Sequence, residues 1–225
     1  MPFQNNTNFG VGEFDRTQNI LNIQPVVPAE LNENLLLVTR VIIPVVYQPE
    51  LALGIEDDFG LGDMNPTFFF VPQTASNVTW GVGPTFLLPT ATGDTLGNDK
   101  WSFGPSAVVV ITTERFVFGG LVSQVWSFAG DSDREDVNQL LVQPFLNYNL
   151  PDGWYLLTAP IITANWEASS GDQLTLPIGG GFGRVFNIGQ QPVNASLQAY
   201  WNPVNPDDGV EWSIRSQLTL LFPTQ

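Results

Sequence analysis

Apolar and polar residues alternate with a period of two along almost the whole chain, and helical periodicity is nearly absent. In segment 193–202, Val, Ala, Leu, Ala and Trp fall on one face, and Asn, Ser, Gln, Tyr and Asn fall on the other. Segments 138–149 and 212–222 follow the same pattern. Because successive side chains of a strand point to opposite faces, this alternation predicts β-strands with one apolar and one polar face.

Turn-forming residues divide the chain into about twelve such runs, each roughly 9–16 residues long. The predicted strands lie near 2–11, 17–27, 35–47, 59–71, 78–89, 100–112, 115–128, 137–149, 154–167, 173–187, 193–203 and 210–222. Strands of ordinary globular proteins average about five or six residues, and no helix is predicted between these runs. The fold class is therefore predicted to be all-β: a closed antiparallel transmembrane β-barrel of about 12 strands, with residues 1–225 as a single domain.

The connections between the runs alternate between short and long. The short ones lie near 28–34, 72–77, 113–114, 149–153 and 188–192, and the long ones near 48–58, 90–99, 129–136, 168–172 and 202–209. Most of the 22 acidic residues fall at the end of the predicted barrel that carries the long connections. Outer-membrane barrels have short turns at one end and long loops at the other, so this sorting also indicates a barrel that stands in a membrane.

All 7 tryptophans lie at or near the ends of predicted strands. Trp154 and Trp166 share one parity at the two ends of a strand that would span roughly 30 Å along the barrel axis. Aromatic side chains gather at the two lipid–water interfaces, which lie about this far apart, so a lipid bilayer is the predicted partner. In an outer membrane that bilayer contains lipopolysaccharide. The alternative is that these aromatics cap the core of a soluble barrel or sandwich. The predicted aromatic girdle consists of Trp80, Trp101, Trp126, Trp154, Trp166, Trp201 and Trp212.

Several prolines fall inside predicted strands, where each removes a hydrogen-bond donor from the ladder. They are Pro25, Pro44, Pro66, Pro84, Pro105, Pro144, Pro160 and Pro177. We interpret them as a repeated device near the middle of the wall that produces bulges or breaks in pairing; the alternative is that each run is two shorter strands of a soluble sandwich. The segment Gly179–Gly183 predicts a strand with small side chains, where another group approaches the wall.

Composition narrows the possible chemistry. The formal net charge of −15 argues against nucleic-acid binding. The absence of His and Cys removes the usual general base, the thiolate nucleophile, the commonest metal ligand and every Cys-based metal site. We therefore expect no enzymatic activity, no cofactor and no metal site. Segment 131–136 has the alternate acids of a calcium loop without its glycine, which predicts a solvated loop; loose divalent binding is the alternative. The chain begins without a basic and apolar leader.

Strand parity also predicts which side chains line the lumen. Arg40 and Arg215 are two of only 7 basic residues, and both take the inward parity. Each is expected to pair with Asp63 or Glu211, to narrow the pore, or to do both. A lining of amides and hydroxyls suits water and small polar or amphipathic solutes better than a selected ion. The predicted pore-lining residues are Arg40, Asp63, Asn65, Gln143, Asn147, Gln198, Tyr200, Arg215 and Gln217.

Separated motifs carry a family resemblance over nearly the whole chain. They are Phe3-Gln4-Asn5-Asn6, Asn22-Ile23-Gln24-Pro25, Phe59-Gly60-Leu61-Gly62-Asp63-Met64-Asn65-Pro66, Gly81-Val82-Gly83-Pro84, Trp126-Ser127-Phe128-Ala129-Gly130-Asp131, Gln143-Pro144-Phe145-Leu146-Asn147-Tyr148 and Ser196-Leu197-Gln198-Ala199-Tyr200. The chain resembles the bacterial outer-membrane β-barrels named for the MetA pathway of phenol degradation, which are also described simply as transporters. Members usually carry a leader and a short segment before the barrel, and a form without that segment would be more open if the segment plugs the lumen.

The resemblance implies a barrel of the Gram-negative outer membrane that acts as a passive channel for small solutes, small aromatic or amphipathic compounds included. Three alternatives stay open at this point. The first is a structural or plugged outer-membrane barrel without transport, the second is a barrel enzyme of the outer membrane, and the third is a soluble β-barrel that binds a ligand.

Overall fold

The computed structural model describes residues 1–222, so the last three residues of the predicted domain 1–225 lie outside the described residues. Regular structure is almost entirely β-strand, with one turn of 3₁₀ helix at Pro151–Gly153. The strands are β1 Pro2–Val11, β2 Arg16–Ile23, β3 Val26–Asn32, β4 Leu35–Gln48, β5 Asp58–Leu61, β6 Asn65–Pro72, β7 Val78–Leu87, β8 Lys100–Thr112, β9 Phe116–Gly130, β10 Asn138–Asn149, β11 Trp154–Thr158, β12 Ile162–Asn165, β13 Leu174–Ile188, β14 Gln191–Val204 and β15 Trp212–Leu220. Among residues 1–222, no helix has the length and hydropathy needed to cross a membrane.

The strands form one antiparallel sheet that closes into a ring. Each strand of the wall pairs with the wall strand before it and the one after it in the chain. The first strand, β1, also pairs with the last, β15, and this pairing closes the wall. Three wall strands are interrupted, β2 with β3, β5 with β6, and β11 with β12, so the fifteen strands make a twelve-stranded barrel. The predicted closed antiparallel barrel is thus confirmed.

The two faces of the wall differ in the way that the alternation predicted. Leu197 and Trp201 are 45% and 60% exposed on the outside of β14, whereas Gln198 and Tyr200 between them are buried in the interior. In a sandwich, the apolar residues would instead be buried between two sheets. The sandwich alternative is therefore wrong, and the apolar side of the strands forms the outer surface.

The prolines act in two different ways. Pro25 lies in the interruption between β2 and β3, Pro160 lies in that between β11 and β12, and the register of β13 shifts next to Pro177. At these positions the predicted breaks in pairing are confirmed. Pro84 and Pro105, by contrast, face each other inside the continuous ladder of β7 and β8. The ladders on their other sides are interrupted: Pro84 has no partner in β6, and Pro105 has none in β9. These prolines therefore break the pairing on one side of a continuous strand, as predicted.

The predicted boundaries differ most at the hairpin of β3 and β4. Residues 28–32 were expected in a connection, but they continue β3, whose Pro28 lies opposite Val38 of β4. Only residues 33–34 remain as the turn. In the described residues β3 pairs with β4 only, so its other edge forms no ladder. Pro28 fits in this strand because a proline, which has no backbone N–H to donate, is tolerated in an edge strand.

Candidate pore

Within residues 1–222, three cavities lie inside the barrel, one toward each end and one between them. A vestibule of about 510 Å³ lies at the end with the long loops. It shares Asn65, Ser123 and Leu141 with a narrow waist of about 70 Å³. A third cavity of about 460 Å³ lies at the end with the short turns, beside Leu36 and Val71. The waist has room for only a few water molecules, so it limits any passage through the barrel.

Polar side chains line one side of the waist. Arg40 of β4 lines it and donates from Nη2 to Oε1 of Gln24, 3.1 Å away. Asn65 donates to the hydroxyl of Thr85 at 3.0 Å, and that hydroxyl also bonds with the hydroxyl of Thr67 at 2.8 Å. These hydrogen bonds hold the side chains in place, because leaving a buried polar group without a partner costs free energy.

Arg215 and Tyr200 form a second polar cluster inside the barrel. The Arg215 side chain donates from Nε to Oδ1 of Asn6 at 3.0 Å and from Nη1 to the carbonyl oxygen of Ala159 at 2.7 Å. Its guanidinium carbon lies 4.8 Å from the centre of the Tyr200 ring. The Tyr200 hydroxyl donates to Oε1 of Gln198 at 2.6 Å and accepts from the backbone N–H of Ala159 at 2.8 Å.

Glycines of β13 make room for these long side chains on the inner wall. Gly179 and Gly181 lie opposite Tyr200 and Gln198 in the ladder. A Cβ atom on Gly183 would overlap the ring of Tyr155, whose hydroxyl donates to Oδ1 of Asn194 at 2.6 Å. The close approach predicted for this segment is that of the Tyr155 side chain at Gly183 and of backbone carbonyl oxygens of neighbouring strands at Gly179, Gly180 and Gly181.

The opposite side of the lumen is lined by small and apolar residues. Ser106, Ser123 and Leu121 reach the waist from β8 and β9. Toward the short turns, Val108 lies opposite Leu121 in the ladder, and the Phe145 ring lies over the backbone of Gly119. The predicted lining of amides and hydroxyls therefore describes only part of the wall.

Most of the predicted lining residues lie in the interior, at different levels. Arg40, Asn65 and Gln143 border the waist. Gln198, Tyr200 and Arg215 form the cluster around Ala159, which was not predicted. Gln217 lies opposite Gln4 in the ladder and donates to the Thr219 hydroxyl at 3.1 Å. Asn147 lies between Val117 of β9 and Leu157 of β11, nearer the short turns.

Asp63 does not form the ion pair with an inward arginine that the sequence predicted. Its carboxylate accepts the backbone N–H groups of Thr90, Ala91 and Asn98 at 3.1, 3.2 and 2.7 Å. It therefore organises the loop between β7 and β8 and does not pair with Arg40. Asp63 lies in the interruption between β5 and β6, where the parity used for the prediction no longer applies.

Neither inward arginine has a carboxylate partner within residues 1–222. The ion pairs of these residues join Arg16 to Glu50, Lys100 to Asp136 and Arg134 to Asp99. The expected pairing of Arg40 or Arg215 with Asp63 or Glu211 is therefore wrong. Amide and carbonyl oxygens take the place of the carboxylates.

The long loops are tied together above the vestibule. Arg134 donates to the carbonyl oxygens of Asp94 and Gly97 at 2.8 and 2.5 Å. The Ser169 hydroxyl and the backbone N–H of Asp207 both donate to the carboxylate of Asp172, which lowers its pKa. In the described part of the chain, no cluster of three or more acidic side chains is arranged to hold a metal ion.

The seven predicted girdle residues are all exposed on the barrel surface. Five of them lie toward the long loops, namely Trp101, Trp126, Trp166, Trp201 and Trp212. Trp80 and Trp154 lie toward the short turns. Trp212 stacks on Phe9 with the ring centres 3.9 Å apart, and its partner in the ladder is Trp201. An exposed apolar wall with aromatic groups at both ends is typical of a surface in contact with lipid.

Solved structures share the architecture, although no protein-family model and no curated protein matches the chain. An outer membrane channel from Pseudomonas putida F1 is 15% identical, with 98% of this chain and 93% of that chain covered and a TM-score of 0.72. The outer membrane phospholipase A of Escherichia coli is 12% identical, with 99% and 97% covered and a TM-score of 0.50. A FadL homologue of Pseudomonas aeruginosa is 12% identical, with 91% and 66% covered and a TM-score of 0.45. At these identities the likeness concerns the fold, a barrel found among outer-membrane proteins.

Proposed function

We propose that the protein is a channel of the Gram-negative outer membrane that lets small solutes pass down their gradient. The observation that carries this proposal is the series of cavities inside a closed wall, polar within and apolar outside. An apolar outer surface with aromatic side chains toward both ends is stable in a bilayer with its lipopolysaccharide, and the interior offers a polar route across it. The similar fold of the Pseudomonas putida channel is consistent with this function.

The solutes that best suit the interior are small, uncharged and amphipathic. Arg40 and Arg215 supply hydrogen-bond donors on one side of the lumen, while Leu121 and Val108 offer an apolar surface on the other. A small aromatic compound with one polar group would match both surfaces. Acidic loops at the vestibule would repel anions, and the two inner arginines would repel cations.

We further propose that the barrel is not an enzyme and needs no cofactor. The chain contains no His and no Cys, and its two inner arginines are occupied by hydrogen bonds to amide and carbonyl oxygens. The likeness to phospholipase A concerns the fold, because none of the usual base and nucleophile pairs with His or Cys can form in this chain.

A barrel without transport is the second candidate, and the small waist favours it. A cavity of about 70 Å³ does not pass a solute larger than water unless the lining moves. The two candidates differ in whether the waist opens. In the second, the interior side chains act as a permanent core.

Reconstitution would distinguish these functions. The purified protein is first shown to be folded by the shift of its gel mobility on heating. Planar bilayers are then examined for single-channel steps, and liposomes for swelling in neutral solutes of increasing size, a small phenol and a sugar of similar mass among them. A channel gives discrete steps and faster swelling for the small phenol. A folded barrel that gives neither supports the second candidate, and lipid turnover in the same vesicles would contradict the absence of enzymatic activity.

A further inference from the structure

The wall of the barrel has one stretch that is held by side chains instead of a ladder. The pairing of β10 and β11 ends at Leu146 and Thr158, and it resumes with Val142 opposite Ile162 of β12. On the other side, the pairing with β13 is likewise absent for residues 159–161. This stretch, Ala159-Pro160-Ile161, is called the bridge segment below.

Prolines explain why the ladder stops here. The register of β10 with β11 and β12 brings Pro144 level with Pro160. On β13, Pro177 lies at the position level with Ile161. Three adjacent wall strands therefore lack a backbone donor at almost the same height, which weakens their pairing.

Side chains from more distant strands replace the missing bonds. The backbone N–H of Ala159 donates to the hydroxyl of Tyr200, on β14, and its carbonyl oxygen accepts from Arg215, on β15. Both side chains reach across β13 at its glycines. The freed carbonyl oxygen of Gly179 accepts a hydrogen bond from the Thr158 hydroxyl at 2.7 Å.

The bridge segment also borders the narrowest part of the interior. Ile161 lines the waist together with Gln4, Arg40 and Ser106, which come from β1, β4 and β8. The position of Ile161 thus affects the width of the passage. Because the segment has few bonds to its neighbours in the wall, it can move without breaking the ladder on either side.

We propose that Arg215 and Tyr200 are positioning residues that set the width of the pore by holding the bridge segment in the waist. Loss of either contact releases the segment and widens the passage. The same contacts determine the largest solute that passes. This inference rests on the proposed channel function, and it adds the residues that control its size limit.

Single-channel conductance of the full chain tests the proposal. Arg215→Ala is expected to increase conductance about threefold or more, since the bridge segment, whose Ile161 lines the waist, loses its bond to Arg215 and is released. Arg215→Lys keeps one charged donor and should give an intermediate value. Tyr200→Phe removes only the hydroxyl and should give a smaller increase. The control is Arg184→Ala, whose side chain packs on Trp154 outside the lumen and should leave conductance unchanged.

A labelling experiment tests the movement without requiring transport. The chain contains no cysteine, so Ile161→Cys provides a single thiol. Its reaction with a charged methanethiosulfonate reagent is expected to be about tenfold faster when Arg215→Ala is added, because the segment opens more often. Arg184→Ala should not change the rate. Each variant is checked for heat-shifted gel mobility, and Tyr200→Phe replaces Arg215→Ala if the latter does not fold.

The two readouts separate the possible failures. If labelling accelerates but no variant conducts, the channel function is wrong and the role of Arg215 as a positioning residue is supported. If the wild type conducts and Arg215→Ala changes neither conductance nor labelling, the proposed role of the bridge segment is overturned. A conductance that rises equally in Arg184→Ala also overturns it, because the effect would then not depend on the contact with Ala159.

Discussion

Two arcs of the inner wall differ in how they are held in place. The amide arc, formed by β14, β15, β1, β2 and β4, carries long polar side chains that bond to one another; Asn8, for example, donates to Gln18 at 2.7 Å. The small-residue arc, formed by β7, β8 and β9, carries glycine, serine and valine, and its shape depends on close packing. Hydrogen bonds therefore specify one side of the lumen, and steric fit specifies the other.

The largest expected effect comes from adding bulk to the small-residue arc. In Gly119→Val, the new Cβ would overlap the carbonyl oxygen of Val109 and lie 2.9 Å from the Phe145 ring. Backbone cannot move aside as a flexible side chain does, so we expect a loss of about 3 kcal/mol in the free energy of unfolding. Urea titration followed by gel mobility measures it.

Gly189→Val provides the matched control for this substitution. Gly189 lies in a turn, and a Cβ there would meet no atom within 4 Å, although its φ of 63° adds strain of its own. It should therefore cost less than Gly119→Val. Equal losses would mean that steric fit does not govern the small-residue arc.

The next effect concerns charge in the amide arc. Arg40→Gln removes the charge of one of the two inner arginines, while an amide can still bond with Gln24. We expect the channel to become more selective for cations, with the permeability ratio changing about two- to threefold. The reversal potential across a salt gradient measures this change. Arg184→Ala, outside the lumen, should leave the potential unchanged, and an unchanged potential in Arg40→Gln would mean that Arg40 does not face the conducting path.

The strands were predictable because the environment of a barrel wall repeats every two residues. Predicted strand 35–47 corresponds to β4, Leu35–Gln48, and alternation through Pro144 correctly indicated one continuous strand. A shift of one residue would turn every apolar side chain inward, so the pattern is strongly constrained. Exposure of Leu197 and Trp201 follows from the same constraint.

The parts that were not predictable depend on contacts between distant strands. Asp63 was given the inward parity, but it lies in the interruption between β5 and β6, and the loop that carries Thr90 and Asn98 folds onto it. The function of Ala159 resides in its backbone, which leaves no signal in a side-chain pattern. Pro144 and Pro160 are visible in the sequence, but that they lie level with each other emerges only from the register of β10 with β11 and β12.

A smaller effect is expected from a hydroxyl that joins the small-residue arc to β6, the strand between the two arcs. Thr85 of β7 is buried and bonds with the hydroxyl of Thr67 and the amide of Asn65. Thr85→Val keeps the shape but leaves both partners with one bond fewer, and we expect a loss of about 1–2 kcal/mol in the free energy of unfolding. Chemical denaturation measures it. In the background Thr67→Val, Thr85→Val should cost less, because one of the two partners is already absent; equal costs would show that the hydroxyls act independently.

The smallest effect should come from acid at the long loops, which neither arc controls. The pKa of Asp172 is lowered because the Ser169 hydroxyl and the backbone N–H of Asp207 bond to its carboxylate. A lowered pKa stabilises the folded loops above the ordinary pKa of an aspartate, and this contribution is lost as pH falls through the lowered value. Hydrogen exchange at the Asp207 amide, corrected for its intrinsic pH dependence, should therefore accelerate when acid protonates the Asp172 carboxylate. In Asp172→Asn, exchange at this amide should be fast at every pH, because the carboxylate that titrates is absent. Since Asp172 lines the wide vestibule and not the waist, conductance should stay the same in both proteins at neutral pH. A large change there would mean that these loops, and not the waist, limit passage.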